Sequence, residues 1–240
     1  MIINNVVCYG NSLTYGSGVA GLQAYPMRFQ NYVDPSQYVT KVWPKGTPGA
    51  QTPWLITNLA AQTAGVFDPT AQRNIMFFWE ASNHIALGLA TAEQAIQLLI
   101  DASVAIKAAG WEVLIGTVTM RSCFAEALPV DEGQNRILAV NLWLRANWHL
   151  HFDGIIDFAR ASYLGDATLF ETKFTTVNGP PPYGDCVHFT ATGYDVMGQK
   201  AYADYSDFLD GGQEHPIPPA TTLTLKGTGG ITYPFHIKTT

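Results

Sequence analysis

Residues 2–18 read IINNVVCYGNSLTYGSG, and their pattern gives the clearest indication of the fold class. Its first half, from Ile2 to Tyr9, is a mainly apolar run that ends at Gly10. The second half is polar and rich in glycine. A strand that is covered on both faces needs a near-continuous apolar run, and polar, glycine-rich residues mark the turn that follows it. The stretch therefore predicts a buried first strand that leads into a turn able to hold chemistry.

Four further segments have the strand pattern, and helical segments separate them. The strands are predicted at 38–43, 74–79, 112–119 and 154–159. The helices are predicted to begin at Thr52-Pro53, to lie between Thr91 and Gly110, to cover 134–148, and to extend from about Thr192 to Leu209. Because apolar strands alternate with helices, we expect an α/β protein in which helices cover both faces of a parallel sheet.

Composition and charge narrow the class of protein. Of the 240 residues, 47% are hydrophobic and 13% are charged, a balance that excludes a disordered chain. The formal net charge of −6 has the wrong sign for a phosphate-binding surface, so nucleic acid is not expected as a partner. The sequence contains neither the long apolar run of a membrane span nor the pattern of a signal peptide. The compartment stays open between the cytoplasm and secretion with a removed signal.

The character of the sequence changes after residue 210. The stretch GGQEHPIPP, at 211–219, has the composition of a linker, and residues 221–240 alternate around glycines as a β-hairpin does. About thirty residues cannot form an independent core. We therefore expect a main domain at 1–210 and an appendage at 211–240, which either packs on the main domain or begins a truncated module.

Candidate catalytic residues follow the predicted strands, where parallel sheets bind their ligands. Ser12 follows the first strand, and its hydroxyl suits either a nucleophile or a helix N-cap. His188 has an acid, Asp185, three residues before it, and a carboxylate can orient an imidazole for base catalysis. The backbone N–H of Gly49 and the side-chain amide of Asn83 suit the stabilisation of an oxyanion. Each residue alone also has an ordinary explanation in a cap or a turn.

These residues form four blocks in order along the chain: GNSLT at 10–14, GTPG at 46–49, a strand followed by Asn83, and DCVH at 185–188. Their order resembles that of the SGNH hydrolases, also called the GDSL esterase/lipase family, over residues 2–209. The resemblance implies a three-layer α/β/α sandwich with a mainly parallel, flavodoxin-like five-stranded sheet. It also implies a carboxylic ester hydrolase that requires no metal and no cofactor.

By position, the resemblance makes Ser12 the nucleophile, His188 the base and Asp185 the partner that orients the base. The oxyanion hole then consists of the N–H groups of Ser12 and Gly49 and the side-chain amide of Asn83. Short-chain carboxylic esters are the expected substrates, cleaved through an acyl-enzyme intermediate. The residues expected to line the substrate site are Asn11, Tyr15, His84, Pro182 and Tyr183.

Three residues depart from the family pattern. Asn11 stands where the family usually has Asp, Pro44 where the second block commonly opens with Asn, and His84 where the third block usually has Asp. Asn11 is nearly isosteric with Asp and transfers no proton, so we expect altered electrostatics in the loop with activity retained. His84 either donates a hydrogen bond near the oxyanion or fills space, and we favour the second interpretation.

Two other functions stay open. A carbohydrate O-acetylesterase is consistent with short acyl groups and with a hairpin that helps to hold a polymer. A non-catalytic binding module that retains the fold is the other alternative, because Asn11 and His84 depart from the family pattern. A metal site at His149, His151 and Asp153 is not expected, since this stretch closes a predicted helix, where positions 149 and 151 point apart. The expected partner is a small-molecule or carbohydrate ester, and the oligomeric state is not predicted.

Overall fold

Five parallel strands form the central sheet of the computed structural model, which describes residues 3–36, 38–121, 123–125, 127–161, 164, 187–213, 223–226 and 232–235. The strands are β1 (Ile3–Gly10), β2 (Val39–Gly46), β3 (Arg73–Trp79), β4 (Glu112–Gly116) and β5 (Gly154–Ile156). Their order is β2-β1-β3-β4-β5, and each neighbouring pair is parallel. This is the flavodoxin-like order, so the predicted α/β fold with a parallel five-stranded sheet is confirmed.

Helices cover both faces of this sheet. They are α1 (Ser12–Tyr15), α2 (Tyr25–Tyr32), α3 (Thr52–Thr63), α4 (Ser82–Ala86), α5 (Ala92–Ala108), α6 (Val130–His151) and α7 (Ala191–Leu209), with short 3-10 helices at Gly21–Gln23 and Phe158–Arg160. Helix α2 packs against α7, and α5 packs against α3 and α6. Within the described ranges, none of the helices is both long and apolar enough to cross a membrane.

The core explains why β1 and β3 are almost wholly apolar in their second halves. Side chains from Val6 to Tyr9 and from Ile75 to Trp79 are at most 1% exposed, because these strands lie inside the sheet and helices cover both of its faces. Trp79 ends β3, packs edge-on against Tyr25 of α2, and donates its indole N–H to the carbonyl of Thr117 at 2.9 Å. A fully buried apolar side chain contributes about 1.5–3 kcal/mol. The strand ends nearest the predicted site are therefore firmly held.

Strand β4 ends earlier than predicted, at Gly116 rather than at 119. The reason is a side chain of α6 that takes over the backbone hydrogen bonds. Asn141 accepts a hydrogen bond from the N–H of Val118 and donates one to its carbonyl, both at 2.7 Å. The apolar run at 112–119 does not reveal a hydrogen-bond partner that lies so far along the chain. For this reason the sequence pattern extends the predicted strand to residue 119.

Two helices also differ from the prediction. Helix α6 begins four residues before the predicted start at 134, with Asp131 and Glu132 in its first turn, where acidic side chains favour a helix. Helix α2 was not predicted. Its N-cap, Ala24, makes no side-chain capping hydrogen bond, and only Pro26 marks its first turn. Packing against α7 stabilises this helix where local signals are weak.

The C-terminal strands β6 (Leu223–Lys226) and β7 (Thr232–Phe235) pair antiparallel, with Leu223 opposite Phe235. The predicted linker lies mostly outside the described residues, but Gln213 is fastened to the edge of the sheet. Its side chain accepts a hydrogen bond from the N–H of Ile155 at 3.0 Å and donates to the Ile155 carbonyl at 2.9 Å. The division of the chain near residue 210 stays a prediction.

Replacement of Gly46 by alanine is predicted to displace the turn that holds Ser12. A Cβ at position 46 would overlap the backbone nitrogen of Tyr15, and backbone atoms move only if α1 moves. We expect the free energy of unfolding to fall by about 1–3 kcal/mol, as for other overpacked sites. Urea unfolding measures this change. Gly21→Ala is the control, because a Cβ there meets nothing within 4 Å; equal midpoints for both variants would contradict the close approach.

Candidate active site

The candidate residues lie at the point where the strand order changes direction: β2 lies on one side of β1, and β3 and the later strands lie on the other side. Strand β1 pairs with β2 on one side and with β3 on the other, and its last residue, Gly10, lies opposite both Gly46 and Trp79. In open α/β sheets, ligands bind beyond the carboxyl ends of the strands at such a switch point. The three turns that follow Gly10, Gly46 and Trp79 therefore form the candidate active site.

Ser12 is the first residue of α1 and is only 8% exposed. The side-chain oxygen of Asn11 caps this helix by accepting a hydrogen bond from the N–H of Leu13 at 2.9 Å. Gly16 ends the helix in the left-handed conformation, with φ 83°, which glycine adopts without strain. Ser12 is thus held on a short, capped turn directly beyond the end of β1.

The imidazole of His188 lies against Ser12, although the two residues are 176 positions apart. His188 Nε2 is 2.8 Å from Ser12 Oγ, which is a hydrogen-bond distance. The next residue, Phe189, is buried and packs edge-on against Tyr194 of α7. The hydroxyl of Tyr194 donates to the carbonyl of Ser17 at 3.1 Å. The start of α7 is therefore tied to the turn after α1, which holds the imidazole beside the hydroxyl.

Asn83 and Gly49 lie on neighbouring turns. Asn83, in α4, donates from Nδ2 to the carbonyl of Ala50 at 2.8 Å. An amide nitrogen has two N–H groups, so one is left for another acceptor. Gly49 is exposed and has φ 74°, a conformation that favours glycine. The structure brings Asn83 beside the loop that contains Gly49, and their roles toward an oxyanion stay predictions.

A buried carboxyl group, that of Glu80, lies in the same site and was not predicted from the sequence. It follows β3 directly, is 1% exposed, and accepts a hydrogen bond at Oε2 from Nδ2 of Asn11. Burial raises the pKa of Glu80 from its ordinary value near 4.5 to about 8. The hydrogen bond from Asn11, the N–H groups of Asn83 and Ala81 and the charge of Arg121 lower the pKa but do not offset burial.

The turn after Glu80 holds a strained residue. Ala81 has φ 92° and is the one non-glycine residue with a positive φ in the parts of the chain described above. This conformation costs about 1–2 kcal/mol for a residue with a Cβ. The guanidinium of Arg121 reaches Ser82 Oγ at 3.3 Å and helps to hold this turn.

Three of the five residues expected to line a substrate site are described. Asn11 is buried and caps α1, and Tyr15, at the end of α1, is 58% exposed. His84 is buried, and no described residue bonds its Nδ1. Burial lowers the pKa of His84, which keeps the imidazole neutral at neutral pH. The remaining two, Pro182 and Tyr183, lie outside the described residues, as does Asp185.

The histidines at the end of α6 make structural contacts. His151 stacks on Trp143, with 5.5 Å between the ring centres, and Asp153 forms an ion pair with Lys107 at 3.1 Å. In the described ranges, no group of three or more His, Cys, Asp or Glu side chains is arranged to hold a metal ion.

Solved structures share this architecture. A member of the lipolytic protein G-D-S-L family from Veillonella parvula has a TM-score of 0.64 and 18% identity, over 85% of this chain and 98% of that one. The chain has the SGNH hydrolase fold. The psychrotrophic esterase EstA from Pseudoalteromonas sp. also shares the SGNH fold, with a TM-score of 0.58 and 11% identity over 85% of this chain and 98% of that one.

A third structure, the lipase/acylhydrolase from Enterococcus faecalis, has a TM-score of 0.55 and 17% identity over 88% of this chain and 97% of that one. No protein-family model and no curated protein matches the sequence. The likeness is therefore one of fold, and the roles of Ser12 and His188 stay predictions.

Glu80 is predicted to make the protein less stable as the pH rises. Between about pH 4.5 and 8 the folded state keeps a proton on Glu80 that the unfolded chain has released. The free energy of unfolding therefore falls by about 1 kcal/mol per pH unit across this window and levels off above it. Urea unfolding at several pH values should show Glu80→Gln gaining stability over the wild type up to about pH 8. A difference that is independent of pH would contradict the raised pKa.

Proposed function

We propose that the protein is a serine ester hydrolase that cleaves short-chain carboxylic esters. The main support is the 2.8 Å contact between His188 Nε2 and Ser12 Oγ at the switch point of the sheet. A serine hydroxyl becomes a nucleophile when a neighbouring base takes its proton. Ser12 sits on a capped helix and His188 is anchored through Phe189 and Tyr194, so the pair is held in position before substrate binds.

In the proposed reaction, Ser12 Oγ attacks the carbonyl carbon of the ester while His188 Nε2 removes the hydroxyl proton. Asp185 is proposed to accept a hydrogen bond from His188 Nδ1 and to stabilise the imidazolium that forms. The imidazolium then protonates the departing alcohol, which leaves the acyl group on Ser12 Oγ. His188 next removes a proton from water, the water attacks the acyl-enzyme, and the carboxylic acid is released.

The negative charge on the carbonyl oxygen requires donors that are in place before the attack. The N–H of Ser12 lies in the first turn of α1, where backbone N–H groups have no acceptor within the helix. We propose that it acts with the N–H of Gly49 and the amide of Asn83. The hydrogen bond from Asn83 to the Ala50 carbonyl supports this grouping, because it links the turn of Asn83 to the turn of Gly49.

The similar structures support the same reaction class. They are described as a lipolytic protein, an esterase and a lipase/acylhydrolase, and each covers at least 85% of this chain. We propose that residues 1–210 form the catalytic domain and that residues 211–240 form the appendage. Acyl chain length and the alcohol part depend on loops, so the preference for short esters is part of the proposal.

Ser12→Ala is predicted to reduce ester hydrolysis to the background rate, because the nucleophile is lost. We would follow p-nitrophenyl acetate, butyrate and octanoate near pH 8 with the wild type and the variant. Ser36→Ala is the matched control: Ser36 lies on an exposed turn with its hydroxyl bound to Asp34 at 2.7 Å. A serine-directed phosphonate should add one equivalent to the wild type and none to Ser12→Ala.

The outcomes separate the alternatives. Full activity in Ser12→Ala would show that the nucleophile is wrong. A folded wild type that neither turns over esters nor reacts with the phosphonate would favour a binding module. Faster release of acetate from acetylated xylan than from p-nitrophenyl acetate would favour a carbohydrate O-acetylesterase.

Asn83→Ala is predicted to lower kcat about 10²–10³-fold, which is the usual effect of removing one oxyanion donor. The substrate binds before the charge develops, so KM should change much less. Asn58→Ala is the control, because Asn58 lies half-buried on α3 and donates only to the carbonyl of Trp54 among the described hydrogen bonds. A kcat that falls by less than about threefold in Asn83→Ala would remove Asn83 from the oxyanion hole.

A further inference from the structure

The proposed reaction assigns no role to the buried carboxyl group of Glu80. Glu80 is 1% exposed and lies between the turn of Ser12 and the turn of Asn83. Carboxyl groups are almost never fully buried unless other groups pair with them, because burial costs several kcal/mol without compensation. We therefore expect the contacts of the Glu80 carboxyl group to explain why it is buried here.

The first contact orients the side chain of Asn11. Glu80 Oε2 accepts from Asn11 Nδ2, and Asn11 Oδ1 accepts from the N–H of Leu13 at 2.9 Å. A flipped amide would place its N–H groups against the N–H of Leu13 and its oxygen against the carboxyl oxygen. The contact with the N–H of Leu13 would then be repulsive, and so would the contact with Oε2 unless this oxygen carried the carboxyl proton, so Glu80 and Leu13 together orient the amide.

The second set of contacts involves the turn after β3. The N–H groups of Asn83 and Ala81 and the charge of Arg121 lower the pKa of Glu80, and both Ala81 and Asn83 follow Glu80 within the same turn. Arg121 also reaches Ser82 Oγ at 3.3 Å. Glu80 therefore begins the turn that holds a proposed oxyanion donor, while its side chain contacts the turn that holds the proposed nucleophile.

We propose that Glu80 is a positioning residue that orients the Asn11 cap and thereby fixes Ser12 relative to Asn83. Its importance for catalysis rests on the proposed function, whereas its effect on the Asn11 cap does not. Oε2 accepts the hydrogen bond whether or not the carboxyl is protonated, so the pairing does not depend on pH. The proposal also accounts for Asn at position 11, since an ionised Asp there has no N–H to donate to Glu80.

The test compares two substitutions at one position. Glu80→Gln keeps a side-chain oxygen that accepts from Asn11, while Glu80→Met has similar length and no acceptor oxygen. We expect Glu80→Met to lower kcat about tenfold or more with KM within threefold, because the amide of Asn11 loses its partner and its orientation. Glu80→Gln should retain kcat within about threefold. The double variant Asn11→Asp/Glu80→Gln, in which the donor and acceptor exchange places, should also exceed Glu80→Met.

A second measurement keeps the proposal testable without turnover. Hydrogen exchange of the Leu13 amide reports on the cap directly and should be faster in Glu80→Met than in the wild type or Glu80→Gln. Assays well below the unfolding temperature of each variant separate this effect from a loss of stability. Unchanged Leu13 exchange in Glu80→Met would overturn the proposal, as would equal kcat in Glu80→Met and the wild type.

The two readouts also separate the proposal from the proposed function. If the wild type does not hydrolyse esters and Leu13 still responds to Glu80→Met, the proposed function fails and the orientation of the cap by Glu80 is supported. If the wild type is active and Leu13 exchange is unchanged, the proposed function stands and the positioning role is wrong.

Discussion

The site depends on the position of β1 between β2 and β3. Because the three strands are parallel and in register, Gly10, Gly46 and Trp79 end at the same level, and the turns that follow them meet. Two glycines make this approach possible. A Cβ at Gly46 would overlap the backbone of Tyr15, and one at Gly10 would overlap the carbonyl of Trp79. Larger residues at these strand ends would separate the turns that hold Ser12 and Asn83.

The position of His188 depends on a different part of the chain. Its neighbours on α7 are fastened to the turn of Ser12 by the Tyr194 hydroxyl, which binds the carbonyl of Ser17. Phe189 fills the core beside Tyr194, so the backbone at His188 has little freedom. The hydrogen bond between Ser12 and His188, which are 176 positions apart, thus depends on the packing of the N-terminus of α7 against the edge of the sheet.

The sequence predicts the sheet well because β1 and β3 are buried on both faces and their apolar runs are nearly unbroken. It also indicates Ser12 and His188, since a strand followed by a polar turn and the order of the four blocks are local signals. It does not predict the end of β4, where Asn141 replaces a strand partner, or the pairing of Asn11 with Glu80 across 69 positions. Such pairs exist only after the sheet has formed, so no local pattern reveals them.

Asn11 and Glu80 are best understood as one feature of the site. Taken alone, Asn11 is a residue of the first block that differs from the usual Asp. Glu80, taken alone, is a buried acid that lowers the free energy of unfolding as the pH rises. Together they form a hydrogen-bonded donor and acceptor beside the turn that holds the proposed nucleophile. An ionised Asp at position 11 would put two carboxylates face to face, and one would have to hold a proton. With Asn at position 11 the contact contains at most one charge, that of Glu80.

The backbone at Ala81 is a second unfavourable feature of this turn. Its positive φ is strained, and the strain persists because neighbouring groups hold the turn on both sides. Strain at Ala81 and burial of Glu80 both reduce stability, and both occur in the few residues between β3 and Asn83. Core packing around Trp79, Tyr25 and Phe158 lies directly beneath and offsets these costs. Unfavourable terms that meet at one turn, next to the Ser12–His188 contact, are typical of functional sites, both those that catalyse and those that clamp a ligand.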